Sequence, residues 1–363
     1  MRRSASRRAH WRDAMLLLAG AAAGVLLLAK SREAAEGVRA GIGICLSQAV
    51  PSLFLFLVLA EWIRLSGAAG ALAKPFGLLA KLLGIPRQGA PVFPLSLIGG
   101  YPVGPRMLGE MARKGEISPK TAGKLLCCTV NASPAFLIAG VALPCFGSVK
   151  IGAVMFLCQA LSALLTGMLA RLFWGGSREE GASQEEERLP PGDAFVGAVT
   201  GGGRSMLTIC AFVIVFTVLI RAAGSVPGMA EWAGLLEVTA GCAGLPGGPF
   251  WETLVLATVY TSFGGLCVWM QAAAMLRGSG VGMGKFILMR GIHVFLSLFL
   301  TIFCAKRMAL PEAVFSSFSE AAPAAGGATG GAAVLLILIC LMLLLCGGKC
   351  AKMERVKSDK GET

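Results

Sequence analysis

Apolar residues along this chain gather into long blocks separated by short polar or Gly/Pro-rich connectors, with neither a strand-like alternation nor a heptad repeat. A helix that crosses a hydrocarbon core of roughly 30 Å needs ~20 mostly apolar residues. On that measure Met15–Ala29, Gly41–Ile63, Ile151–Trp174, Met206–Ala222, Thr253–Met275, Phe286–Cys304 and Gly331–Cys346 read as spans. Leu125–Phe146 is an eighth, interrupted at Asn131-Ala132-Ser133-Pro134. Lys30–Arg39 reads as a polar outer loop, and Arg64–Gln88 as an amphipathic stretch. Ala90–Gly104 is apolar but too short to cross, and Pro91, Pro94, Gly99, Gly100, Pro102 and Gly104 interrupt it. Irregular backbone at membrane depth is tolerated only against protein or a water-filled cavity, so this segment reads as one arm of a re-entrant hairpin.

Composition agrees with an all-α polytopic membrane protein of about eight spans: 55% of the 363 residues are hydrophobic and 15% charged, against roughly 25% charged in soluble domains. The 49 glycines suit helices packed closely in lipid. A net charge of +13 does not indicate nucleic acid. The basic residues cluster beside the first and last apolar blocks, as Arg2, Arg3, Arg7, Arg8 and Arg12 and as Lys349, Lys352, Arg355, Lys357 and Lys360. Such clusters hold membrane segments at the cytoplasmic face, so both termini are expected inside a bacterial cytoplasmic membrane. Most of the twelve cysteines lie in apolar runs, where they behave as small hydrophobes. No metal-ligand spacing, Walker A motif or catalytic triad is present, so neither an enzyme nor a resident cofactor or metal is expected.

The hydrophilic stretch Gly175–Gly192 divides the chain. The expected units are 1–37, a first repeat 38–174, a linker 175–193, a second repeat 194–307, and a tail 308–363. Two landmarks recur in order. Trp62-Ile63-Arg64-Leu65-Ser66-Gly67 is echoed by Leu219-Ile220-Arg221-Ala222-Ala223-Gly224, and Ile98-Gly99-Gly100-Tyr101-Pro102-Val103 by Phe263-Gly264-Gly265-Leu266-Cys267-Val268. The positive-inside assignment sends the two matching spans in opposite directions. Inverted repeats with broken helices are a construction of secondary transporters, which hold their substrate near the midplane.

The segments Gly99-Gly100-Tyr101-Pro102-Val103-Gly104, Asn131-Ala132-Ser133-Pro134, Glu237-Val238-Thr239-Ala240-Gly241, Phe263-Gly264-Gly265-Leu266, Gln271 and Arg290-Gly291-Ile292-His293 resemble the YlbJ-type sporulation integral membrane proteins. These belong to the nucleoside-recognition, or gate-domain, membrane protein family, which is similar to concentrative nucleoside transporters. The resemblance runs from about Val38 to Arg307. It implies a carrier moving dipicolinic acid from mother cell toward forespore, in the outer forespore membrane. Two departures stand out: Trp269 occupies a position where a small or His-like residue is expected, and Asn131-Ala132-Ser133-Pro134 varies an Asn-Thr-Ser-Gly pattern.

The candidate binding residues follow. Gly99, Gly100, Gly264 and Gly265, with Tyr101 and Pro102, are candidates for two hairpin tips whose backbone approaches a solute; close helix packing is the alternative. Glu237 lies between apolar residues without a local cation, and an ionisable group at membrane depth points to function. It is a candidate for a coupling cation, a proton or a solute hydroxyl, with Thr239 beside it. Asn131 and Ser133 precede Pro134, which frees a carbonyl one turn earlier; they bind solute, repair the kink, or do both. Gln271 is placed opposite Arg106 by the repeat. Arg106 and Arg290 are the counter-charges for an anion, although Arg106 also serves as a positive-inside anchor. His293 shares a helix face with Arg290. The expectation is a carrier for a small polar, anionic solute in the lipid bilayer, with a homo-oligomer as a candidate assembly. A structural protein of spore formation and a nucleoside carrier are the alternatives.

Overall fold

A computed structural model of the chain describes residues 15–308 apart from 16, 19, 23, 26, 69–74, 177–188 and 225–228. The expected span Gly331–Cys346 and the linker Ala321–Gly330 lie outside the described residues, and Met15–Ala29 is described only in part. Among the described residues all regular structure is helical, and five helices are long and apolar enough to cross a membrane: Ser31–Leu65, Val149–Trp174, Pro191–Ala222, Phe250–Met275 and Gly284–Arg307. The protein is a multi-pass membrane protein, and lipid is its surroundings.

The first of these joins α1 (Ser31–Ile44) to α2 (Val50–Leu65) through a π-helical turn, Cys45–Ala49. Pro51, in the first turn of α2, lacks the N–H that would continue the ladder, and the wider π turn absorbs the mismatch. The stretch Lys30–Arg39, expected as an outer loop, is instead helical from Ser31 onward. Its charges pair along one face, Lys30 with Glu33 at 3.5 Å and Arg32 with Glu36 at 3.3 Å, the i,i+3 and i,i+4 spacing that supports a helix.

A short helix α3 (Gly77–Leu83) leads to α4 (Val92–Gly99) and α5 (Val103–Arg113), which fold back on each other as a hairpin. Then α6 (Pro119–Leu126) ends, the chain runs irregularly past Asn131, and a π-helical stretch (Phe136–Ala142) continues into α7 (Leu143–Phe146). This is the broken span expected around Pro134. The first half closes with α8 (Val149–Trp174).

The same order follows in the second half. A long α9 (Pro191–Ala222) precedes a hairpin of α10 (Met229–Leu236) and α11 (Val238–Ala243). Next comes a span broken at Gly264 into α12 (Phe250–Phe263) and α13 (Gly265–Met275), and last α14 (Gly284–Arg307). Helix α9 begins well before the expected Met206. Its 32 residues reach about 48 Å at 1.5 Å per residue, longer than the hydrocarbon core.

Glycine sets how closely the long helices approach. A Cβ at Gly37 or Gly41 of α1 would lie 2.8 Å from the backbone of Val218 or Ile214 of α9. The two glycines stand four apart and leave a flat stripe on which α9 lies, the small-xxx-small arrangement of membrane helices. Helix α9 packs on both α1 and α2, and α8 packs on α14.

Candidate functional site

Four interruptions of helix converge at the centre. In the first hairpin Gly100, at φ 83°, turns the chain, and a Cβ there would press on Leu53 and Ser133 at 3.0 and 3.3 Å. The first hairpin tip is thereby held against α2 and the first broken span. The other glycine pair has a different job. Gly264 and Gly265, at φ 82° and 72°, interrupt the span Phe250–Met275, and α12 and α13 do not fold back on each other. The tip of the second hairpin is Glu237, between α10 and α11.

The two regions touch through Tyr101. Its hydroxyl donates to the Thr261 carbonyl at 2.7 Å, and a Cβ at Gly264 would stand 3.4 Å from its ring. The break in the second span leaves carbonyls of α12 without helical donors. Tyr101 serves one of them, and Arg290 Nη1 serves Ser262 O at 2.9 Å. The Trp269 indole donates to Phe263 O at 3.0 Å. A small residue at 269 would leave that carbonyl open, which accounts for the indole at this unexpected position.

At the first broken span, Ser133 Oγ accepts from the N–H of Phe136 at 3.2 Å, capping the π-helical stretch ahead of it. The Asn131 amide donates to Cys128 O at 2.7 Å, while its own carbonyl oxygen is buried without a protein partner. Glu237 is 1% exposed. Its two carboxylate oxygens accept from the backbone N–H groups of Thr239 (3.1 Å) and Ala240 (2.5 Å). The side chain therefore caps α11, a helix start that favours a carboxylate.

These groups surround one cavity. Tyr101 and Pro102 come from the first hairpin, Glu237 and Thr239 from the second, Ser133 from the first broken span and Gln271 from the second. Gln48 and Ser52 complete the polar wall from the first long helix, and Ile209 and Val213 close it from α9. The space open to the centre of a water molecule is about 40 Å³, room for about three waters at ~10–15 Å³ each. Polar groups of both kinds face it: amides, hydroxyls and one carboxylate. No Lys or Arg lines it.

Arg106, Arg290 and His293 are not part of that wall. Arg106 is engaged elsewhere. Its Nη2 lies 3.2 Å from Glu61 Oε1, which Arg64 also holds at 2.8 Å, and its Nη1 donates to Gly201 O at 2.6 Å and to Ser205 Oγ. This cluster ties α2, α5 and α9 together. Arg290 and His293 are 2% and 1% exposed, on α14, which packs on α8 and α12.

Sequence reasoning missed Glu61, Gln48 and Ser52. A glutamate inside an apolar span was the available signal for the first. For the other two it was a pair of polar residues flanking Pro51.

The chain is 23% identical over 210 residues to the sporulation integral membrane protein YlbJ of Bacillus subtilis (strain 168), an alignment that covers 51% of this chain and 50% of that protein. The chain thus matches about half the length of this curated relative. No family model matches. No solved structure matches either.

Proposed function

We propose that this protein is a secondary-type carrier that binds a small polar solute in the central cavity, between two inverted repeats of the gate-domain, nucleoside-recognition type. One observation carries the reading. Each half contributes the same three kinds of element to the cavity: a long helix, a hairpin tip and a broken span. In this arrangement the first hairpin tip at Gly100 corresponds to Glu237, and the break at Asn131–Pro134 corresponds to Gly264–Gly265. This replaces the pairing of the two glycine doublets suggested by the sequence. Broken helices expose peptide groups to a solute while the remaining turns stay compatible with lipid.

The cavity as it stands holds only water-sized occupants, so a larger solute requires the hairpins to move. A coupling cation or proton would meet Glu237. The relative's name adds a setting, a membrane of the sporulating cell, and dipicolinic acid moving from mother cell toward forespore is the first solute to test. A dianion meets no cation in the cavity wall; Arg290 lies outside it, on the carbonyl next to the one that Tyr101 holds.

The test is uptake by the full chain reconstituted in liposomes. Dipicolinate flux is followed by the luminescence of terbium trapped inside, with uridine as competitor. Saturable dipicolinate uptake is expected. Glu237→Gln should slow it about tenfold, because a neutral amide cannot hold the coupling cation or proton that the carboxylate meets. Uridine flux that dipicolinate does not inhibit would move the reading to a nucleoside carrier. No flux of either solute through correctly inserted protein would leave a structural role in spore formation.

A further inference from the structure

Arg290 is the most deeply buried cation among the described residues, and none of their carboxylates pairs with it. The titratable groups near it are the neutral phenol of Tyr101, the neutral thiols of Cys127 and Cys128, and His293. Removing a guanidinium from water without a counter-charge is among the most costly things a fold can do. The side chain is nevertheless firmly placed. Nη1 donates to Ser262 O at 2.9 Å, and the guanidinium carbon sits 4.5 Å from the Phe286 ring centre. What remains is Nε and Nη2, both buried without a protein partner. These two atoms share one edge of the guanidinium, the parallel pair of donors that grips a carboxylate side-on.

The surroundings extend the same theme. His293 lies one turn on, buried against the Ser162 backbone. Ser297 follows on the same face, its hydroxyl buried and unpaired. Buried polar groups in native proteins are almost always paired with protein, water or ligand, so two unpaired donors on one edge of a fixed cation mark a place for a hydrophilic guest.

We infer that the free edge of Arg290 is a binding site for a single-charged anion, presented either by a halide or by one carboxylate of an organic solute. The charge limit follows from the residues, since one guanidinium balances one negative charge and the adjoining His293, Ser297 and Ser262 add only dipoles. The site is distinct from the central cavity: Tyr101 lines the cavity and holds the Thr261 carbonyl, and Arg290, which does not line it, holds the next carbonyl, that of Ser262. It stands whether or not the chain transports anything.

The experiment measures thermal unfolding of the purified full chain in detergent, with sodium sulfate replaced by sodium bromide or by sodium benzoate at constant ionic strength. A saturable rise in the unfolding midpoint is expected in wild type and absent in Arg290→Gln. Arg290→Lys should keep the bromide response and weaken benzoate about tenfold, because an ammonium lacks the second donor of the fork. A bromide response alone assigns an inorganic ion; a benzoate response, alone or competing with bromide, assigns a carboxylate. Equal responses in wild type and Arg290→Gln, or none that saturates in wild type, overturn the site. Should Arg290→Gln fail to fold, chloride-35 line broadening by the wild-type protein decides. Broadening relieved by benzoate supports the site, and its absence sinks it. Flux in liposomes without this binding would leave the carrier reading intact and remove only the anion site.

Discussion

Replacing Gly104 by alanine places a methyl group where the Thr129 carbonyl oxygen already lies, with Thr129 Cβ and carbonyl carbon at 2.8 and 2.9 Å. Carbon atoms in ordinary contact stand roughly 3.5–4.0 Å apart, so α5 and the first break must separate by about 1 Å. Neither partner yields easily. Thr129 is fully buried and bonds through its hydroxyl to Leu125 O at 3.0 Å, and Asn131 pins Cys128 O. On the other side, α5 is tied to α9 through Arg106. Overpacking of this kind costs about 1–3 kcal/mol. Gly291 supplies the control, since it lies inside α14 with nothing within 4 Å of an added Cβ. Gly291→Ala should stabilise by up to about 1 kcal/mol through helix propensity alone. Thermal unfolding of both variants beside wild type, in one detergent, gives the two opposite shifts. An unfolding midpoint for Gly104→Ala at or above that of wild type would show that the hairpin does not rest on the broken span, and the central cavity would lose one wall.

The cluster at Glu61 predicts strong coupling. Glu61→Ala leaves Arg64 and Arg106 facing one another and should cost about 3 kcal/mol. A double-mutant cycle with Arg106→Ala should return a coupling of about 1–3 kcal/mol by chemical unfolding; additivity would show the pair to be independent. At the other long interface, Gly41→Ile forces α1 away from the Ile214 backbone. Maleimide labelling of the buried Cys45, whose thiol now reaches Cys210 O at 3.7 Å, should rise several-fold, and unchanged labelling would refute the close approach of α1 and α9.

How far the sequence reached depends on what each feature needs from its surroundings. Long apolar blocks report their own structure, because lipid forces every backbone group to be satisfied inside the helix, and Val149–Trp174 and Gly284–Arg307 emerge within a few residues of their expected bounds. Breaks are also legible, since Pro134 and the doublets at 99–100 and 264–265 mark where regular hydrogen bonding must stop. What a break does afterwards is not a local property. Gly100 and Gly264 share φ, 83° and 82°, but not ψ, −171° and −7°, so doublets that read alike in sequence turn the chain differently: one makes a hairpin and the other interrupts a span. The difference lies in contacts made at a distance. After the first doublet, Gly104 leaves no side chain between α5 and the Thr129 carbonyl, so the returning arm can lie flat on the first broken span. After the second, the Trp269 indole reaches back to Phe263 O and its ring packs 5.5 Å from Phe286 of α14, which ties α13 to the end of α12. The same dependence hid the charges. Along the chain Arg106 reads first as a positive-inside anchor and Arg290 as the anion ligand, but only the fold gives Arg106 to Glu61 and buries Arg290 against the Ser262 carbonyl with its Nε and Nη2 unpaired.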